Sequence, residues 1–258
     1  MAQPTYSVRG IVLRKTKLAE TDLIVTLLAD DGTQRRAVAK GARKPSSTFA
    51  SRLELYAEAD LLCSVGRSLD VVKEARLVRP NVRLRSSVEL ASCAAPAAEL
   101  LCKVSQPGLE QPRLFEATAA GLAALDAAAP AQAPGVAAAL LIKTLGLVGL
   151  RPSLSQCVVC GGDATAVAPQ VPFSFSEGGV VCAGCRGQAE SVPVPAAAVG
   201  WARFLMGSTY AAILEAPADP GSAFAVLRLA QGLIRAHVGG SPKSLDFLFA
   251  CGLFGDAE

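Results

Sequence analysis

The chain has 258 residues, of which 51% are hydrophobic and 18% charged. That composition excludes a disordered tail protein and is ample for one or two packed cores, with two the better match to the length. The net charge of +3 hides an asymmetry: residues 1–85 hold 16 Lys and Arg against 9 Asp and Glu, and residues 86–258 hold 9 against 13. A polyanion would sit on the basic half, although an ordinary solvated surface accounts for the same charge. The longest apolar run, residues 136–150, is interrupted by Lys143 and falls short of the roughly 18 residues of a membrane span. The first ten residues lack the apolar segment of a secretory signal. A cytoplasmic protein with no membrane partner is expected.

The first 80 residues read as five strands, at 6–14, 21–29, 33–40, 53–63 and 69–78, rich in Val, Ile, Leu and Thr. Asp31-Gly32 is a hairpin signal, and Gly41 to Ser47 is a loop. Five short strands at close spacing suit a small closed barrel. The chain then becomes helical and Ala-rich, with an apolar stripe through Leu84, Val88, Ala91, Ala95, Ala98 and Cys102. Pro96 inside that stripe predicts a kink or two helices. Pro112 opens the next helix, residues 127–134 read as an Ala/Pro linker, and 136–150 is apolar on every face, hence a central buried helix. Residues 154–187 change abruptly to paired cysteines and glycines, and three further helices follow Pro195. The organisation is α+β and multidomain. It comprises a barrel (1–80), a helical bundle (81–153 and 188–258) and a cysteine module (154–187) inserted in the bundle.

Four of the eight cysteines form Cys157-x-x-Cys160 and Cys182-x-x-Cys185. Each pair can place two thiolates on one cation, and two pairs close a tetrahedral shell with no open position. One structural Zn2+ in a ribbon is therefore expected. Four reduced thiols in a ribbon held by packing alone is the plain alternative. Cys63, Cys93, Cys102 and Cys251 lie in apolar stretches and read as small buried hydrophobes.

The second constellation is basic. Arg14, Lys15 and Lys17 fall between strands one and two, Arg35, Arg36 and Lys40 on strand three, and Arg43 and Lys44 in the loop after it. A five-stranded barrel of the OB type binds nucleic acid across strands two and three and the neighbouring loops, which is where these cations lie. Only Tyr6, Phe49 and Tyr56 could stack on bases there, so phosphate contact is expected to outweigh base reading.

Catalytic candidates are poor. His237 is the sole histidine, no Gly-Lys pair of a phosphate loop occurs, and Asp30-Asp31 is better explained by its turn. The chain is expected not to be an enzyme.

Several stretches match one known pattern in order and spacing. They are Gly10 to Leu13, Ala19 to Leu28, Gly32 and Ala39 to Lys44, then Leu140-Leu141 and Leu145 to Leu147 running through Pro152 into Cys157. Phe173-Ser174, Gly178-Gly179, Cys182 and Cys185 follow, and then Ile234 to His237 and Ser244. On these residues the chain resembles the RecO family, bacterial recombination mediators of DNA repair. The resemblance implies an N-terminal OB fold, a helical domain and a zinc ribbon. It also implies binding of single- and double-stranded DNA, annealing of complementary strands, location at the nucleoid and partnership with RecR. It further implies contact with the acidic tail of single-stranded-DNA-binding protein, through which the recombinase is loaded. Arg228 and Arg235, seven apart beside Leu227 and Ile234, are the candidate residues for that tail, against the plainer reading of a solvated helix face. An RNA-binding OB and zinc-ribbon protein of translation or transcription is the competing function.

Overall fold

A computed structural model describes residues 3–164 and 168–254. Five strands, β1 (Thr5–Leu18), β2 (Asp22–Ala29), β3 (Gln34–Ala39), β4 (Glu58–Ser64) and β5 (Asp70–Arg79), close a barrel in the order β1-β2-β3-β5-β4. The β3–β5 pair is parallel and the others antiparallel, which is the OB arrangement.

β1 is paired on both edges. Its first half pairs with β4 and its second with β2, with a bulge between Val12 and Arg14. The bulge leaves Leu13 and Arg14 both on the outer side. Val8, Val12, Val25, Leu27, Ala37, Leu61 and Val72 fill the barrel. Ile11, Leu13, Leu28 and Tyr56 instead join the core of the helical region, so the barrel is seated on the bundle through its own outer face.

β1 runs through Leu18, so Arg14, Lys15 and Lys17 lie on a strand rather than between strands. The reason is the bulge, which bends a 14-residue strand around the barrel. β4 begins at Glu58, because Tyr56 takes φ +67° and residues 53–57 form turns.

The bundle comprises α1 (Arg83–Ser86), α2 (Val88–Val104), α3 (Pro112–Ala127), α4 (Ala133–Leu147), α5 (Ala196–Gly207), α6 (Tyr210–Glu215), α7 (Pro220–Ile234) and α8 (Lys243–Ala250). α4 is buried almost throughout and packs against α2, α3, α5 and α7. Lys143, its single charge, donates to the carbonyls of Met206 (3.0 Å) and Ser208 (2.8 Å) at the end of α5. Pro96 does not divide the helix in two; α2 is continuous from Val88 to Val104. Cys93, Ala94, Ala97 and Ala98 around Pro96 are buried, and their packing outweighs the ~3 kcal/mol cost of an interior proline.

The module between α4 and α5 contains β6 (Gln170–Ser174), β7 (Gly179–Val180) and β8 (Val192–Pro195), ordered β7-β6-β8. It rests on α7, where the ring of Phe175 lies against Gly232. His237 Nε2 is 2.8 Å from the Phe175 carbonyl, so the sole histidine ties the module to the end of α7.

The β2–β3 turn is pinned to the bundle. The Gln111 N–H donates to the Asp31 carbonyl (2.8 Å), and Gln34 Nε2 donates to the Cys102 and Ser105 carbonyls. Gly32 sits at φ +80°, and a Cβ there would meet the Gln111 carbonyl oxygen at 2.0 Å, so only glycine fits.

Candidate nucleic-acid interface and metal centre

The basic residues divide by the pleat. In register, Arg14 pairs with Thr26, which pairs with Arg36; the next row along is Thr16, Ile24 and Val38. Both rows face outward, while Ala37 and Ala39 point into the barrel. Arg14 and Arg36 thus flank Thr26 about 10 Å apart, two strand spacings. Lys40 follows Arg36 along the same face, and Lys44 lies in the loop beyond.

Asp22 organises that loop. Its Oδ1 accepts from the Gly41 N–H at 2.7 Å and from Thr21 Oγ1 at 3.0 Å. The Gly41 N–H, helped by Thr21 and by Lys40 and Lys44, holds the Asp22 carboxyl below the usual range. Arg43 donates to the Ala19 (3.2 Å) and Glu20 (2.6 Å) carbonyls, joining the β3–β4 loop to the β1–β2 turn. Nothing local in the sequence signals the role of Asp22, because its partner is 19 positions away.

Two predicted cations have other partners. Lys15 is paired in register with Val25, a barrel-core residue, and its Nζ meets Glu54 at 2.9 Å. Arg35 pairs with Asp31 at 2.8 Å and lies over the Tyr6 ring, 5.5 Å from its centroid. Burial works against ionisation of Asp31, but the Thr33 hydroxyl and N–H and the Arg35 guanidinium overcome it and lower its pKa. Arg14, Lys17, Arg36, Lys40 and Lys44 are exposed and form no ion pair among the described residues. Tyr6 and Phe49 are half-buried and Tyr56 is buried, so none stands out as a stacking platform.

The four cysteines converge. The sulfurs of Cys157, Cys160, Cys182 and Cys185 all lie within 4.8 Å of one another, and Cys160 Sγ is 3.8 Å from Cys182 Sγ. A tetrahedral cation with ~2.3 Å sulfur bonds requires sulfurs ~3.8 Å apart, so the donor set fits a metal ion. The Cys182 N–H donates to Cys157 Sγ at 3.3 Å. That bond and further backbone N–H groups pull the Cys157 thiol down to about 6. Contact with the neighbouring Cys182 sulfur, together with burial, pushes Cys185 up to about 12. Four thiols packed together without a cation thus resist full ionisation, which a divalent ion would relieve. Of the other cysteines, Cys63 and Cys93 are buried as expected, whereas Cys102 and Cys251 are half-buried.

At the C-terminal candidate site, Arg228 lies over the Phe249 ring (5.4 Å to the centroid) and Arg235 is 3.6 Å from Asp246. Leu227 and Ile234 are wholly buried, so the apolar surface beside Arg228 is Phe249 instead. No helix among the described residues is long and apolar enough to cross a membrane.

A five-stranded OB barrel with a basic outer face, a helical bundle and a four-thiol cluster that fits a metal ion together set the class of protein to compare. The family patterns described as Recombination protein O N terminal and Recombination protein O C terminal match residues 1–81 and 85–246. The DNA repair protein RecO of Roseiflexus sp. (strain RS-1) is 30% identical over 249 residues, covering 96% of this chain and 86% of that protein. Those of Bifidobacterium longum subsp. infantis and Frankia casuarinae are 37% identical over 180 residues and 38% over 190. These alignments cover 69% and 71% of this chain and 72% and 74% of the relatives. The chain belongs to the RecO family of DNA repair proteins.

Proposed function

We propose that the chain is a non-enzymatic recombination mediator that binds single- and double-stranded DNA on the outer face of β1–β3 and anneals complementary strands. The observation that carries this is the row Arg14–Thr26–Arg36, continued by Lys40 and Lys44, with no carboxylate paired to its cations among the described residues. Such a surface neutralises phosphates without reading sequence and lowers the repulsion between two strands. Annealing needs no covalent chemistry. Lys17 extends the surface, while Lys15, Arg35 and Arg43 brace it.

The metal is one structural Zn2+, held by Cys157, Cys160, Cys182 and Cys185, because four thiolates leave no position for a substrate. The partners are RecR and the acidic tail of single-stranded-DNA-binding protein, through which the recombinase is loaded on coated DNA at the nucleoid, in the cytoplasm. Arg228 and Arg235 take the tail's carboxylates, with Phe249 supplying apolar contact. The barrel (1–80), the bundle (81–153 and 188–258) and the ribbon (154–187) are the functional units.

Annealing of fluorescent complementary strands by the purified chain tests this reading, with competition between single-stranded DNA and RNA of equal length alongside. Annealing with preference for DNA supports it. No annealing, or preference for RNA, overturns it.

A further inference from the structure

A second basic surface lies on the opposite flank of the barrel. Residues 73–85 contain Lys73, Arg76, Arg79, Arg83 and Arg85 against the single acid Glu74, and all five cations are exposed. β5 presents Lys73, Arg76 and Arg79, because β3 pairs with it only at Asp70 and Val71 and the rest of the strand has β4 on one side alone; Arg83 and Arg85 follow on α1. Arg83 donates to the carbonyls of Asp126 (2.7 Å) and Ala128 (3.0 Å), and Arg79 to that of Ala119 (3.4 Å). Carbonyls fix these guanidinium groups without cancelling their charge, and each keeps N–H donors to spare. Arg76 meets Asp60 at 3.4 Å, and Arg9, which shares that carboxylate, also meets Glu58 at 3.9 Å. Lys73 and Arg85 form no ion pair among the described residues.

The register separates this surface from the first. One lateral row runs Gln34, Leu28, Ile11, Glu58, Arg79 across β3, β2, β1, β4 and β5. Leu28 and Ile11, in its middle, are covered by the helical core. The bundle is therefore seated between the two basic flanks on this side of the barrel, while on the other side β3 and β5 adjoin at Ala37–Asp70 and Val38–Val71.

Building on the annealing role above, we propose that Lys73, Arg76, Arg79, Arg83 and Arg85 hold the phosphates of a second nucleic-acid strand while the β1–β3 face holds the first. Two strands held on one small barrel have an effective concentration in about the millimolar range. Phosphate contact is favoured over an acidic protein because the cations run in series along β5 and on to α1, as a backbone track requires.

The test uses the full chain carrying Lys73→Glu and Arg85→Glu, two residues that brace nothing, beside Arg36→Glu/Lys40→Glu. First-strand affinity is read by fluorescence anisotropy and annealing by energy transfer between labelled complements, with circular dichroism reporting the fold. The expected result is first-strand affinity within twofold of wild type, with stoichiometry at saturation falling from two short strands per chain to one. Annealing slows about tenfold, and its salt slope falls by about 0.7 per lost contact. Arg36→Glu/Lys40→Glu instead loses first-strand affinity. If charge reversal disturbs the fold, Lys73→Ala and Arg85→Ala give the same readout. Wild-type annealing and stoichiometry in the Lys73/Arg85 variants overturn the proposal, including where those variants lose capture of a protein partner. Failure of the wild-type chain to bind or anneal DNA sinks the annealing role itself, and this proposal with it.

Discussion

Arg14 and Arg36 stand in one lateral row on the outside of the barrel, each in register with Thr26 of the strand between them. Arg35, the immediate neighbour of Arg36, points the other way and is tied to Asp31. Two adjacent arginines therefore have different expected phenotypes. Arg36→Glu should weaken single-strand binding and lower the slope of log affinity against log salt by about 0.7. Arg35→Gln should leave that slope unchanged and lower the melting temperature, since it strips a partner from Asp31 and Tyr6. Anisotropy titrations at several salt concentrations, with thermal melts, separate the two. Equal slopes for Arg36→Glu and wild type would remove Arg36 from the interface.

Cys157→Ser/Cys182→Ser removes one ligand from each pair. The variant should lose bound metal by mass spectrometry and melt at lower temperature, because metal binding free energy is folding free energy for such a module. Wild-type melting with wild-type metal content would show that packing alone holds the ribbon. A Phe173 core supports the module, so loss should be partial rather than global.

Most of this architecture was legible in the chain. The paired cysteines announce their site by spacing alone, and the wholly apolar 136–150 stretch announces a buried helix. The cations of β3, and Lys40 just after it, sort by the strand period: Arg36 and Lys40 fall outside. What could not be read depends on distant partners. Whether Arg35 is free is decided by Asp31 and by the hairpin's contact with Gln111, and whether Lys15 is free by a bulge that reverses parity after Val12. The apolar slot expected from Leu227 and Ile234 fails for a similar reason, since seven-residue spacing identifies one face of a helix without saying that this face is the buried one.

Gly232 is another residue with no local signal. It lies inside α7, and a Cβ there would sit 2.3 Å from Phe175 Cε1. Gly232→Ala should cost about 1–3 kcal/mol by overpacking, in spite of alanine's better helix propensity. Adding Phe175→Ala should recover part of that loss, and a double-mutant cycle on thermal or denaturant stability measures it. Strict additivity of the two changes would mean that the ring moves aside freely.

Glu99 of α2 caps α8 from 144 positions away. Its carboxylate accepts from the backbone N–H groups of Lys243 (3.0 Å) and Ser244 (3.1 Å) and from Ser244 Oγ (2.8 Å). Pro242, at the cap position itself, provides no side-chain acceptor, so the first turn of α8 depends on Glu99. Burial disfavours the charged form of Glu99, but the Ser244 and Lys243 donors outweigh it and lower its pKa. A carboxyl whose folded pKa is depressed adds stability that is fully present above its unfolded value, near 4.3, and is lost as pH falls through the folded value. Glu99→Ala should therefore lower stability at pH 7 by about 0.5–2 kcal/mol, as for loss of a helix cap. It should also flatten the acid limb of the stability profile below about pH 4, where the wild type loses this contribution and the variant has none to lose. Urea unfolding at a series of pH values checks both parts. An acid limb as steep in the variant as in the wild type would show that another carboxylate carries it.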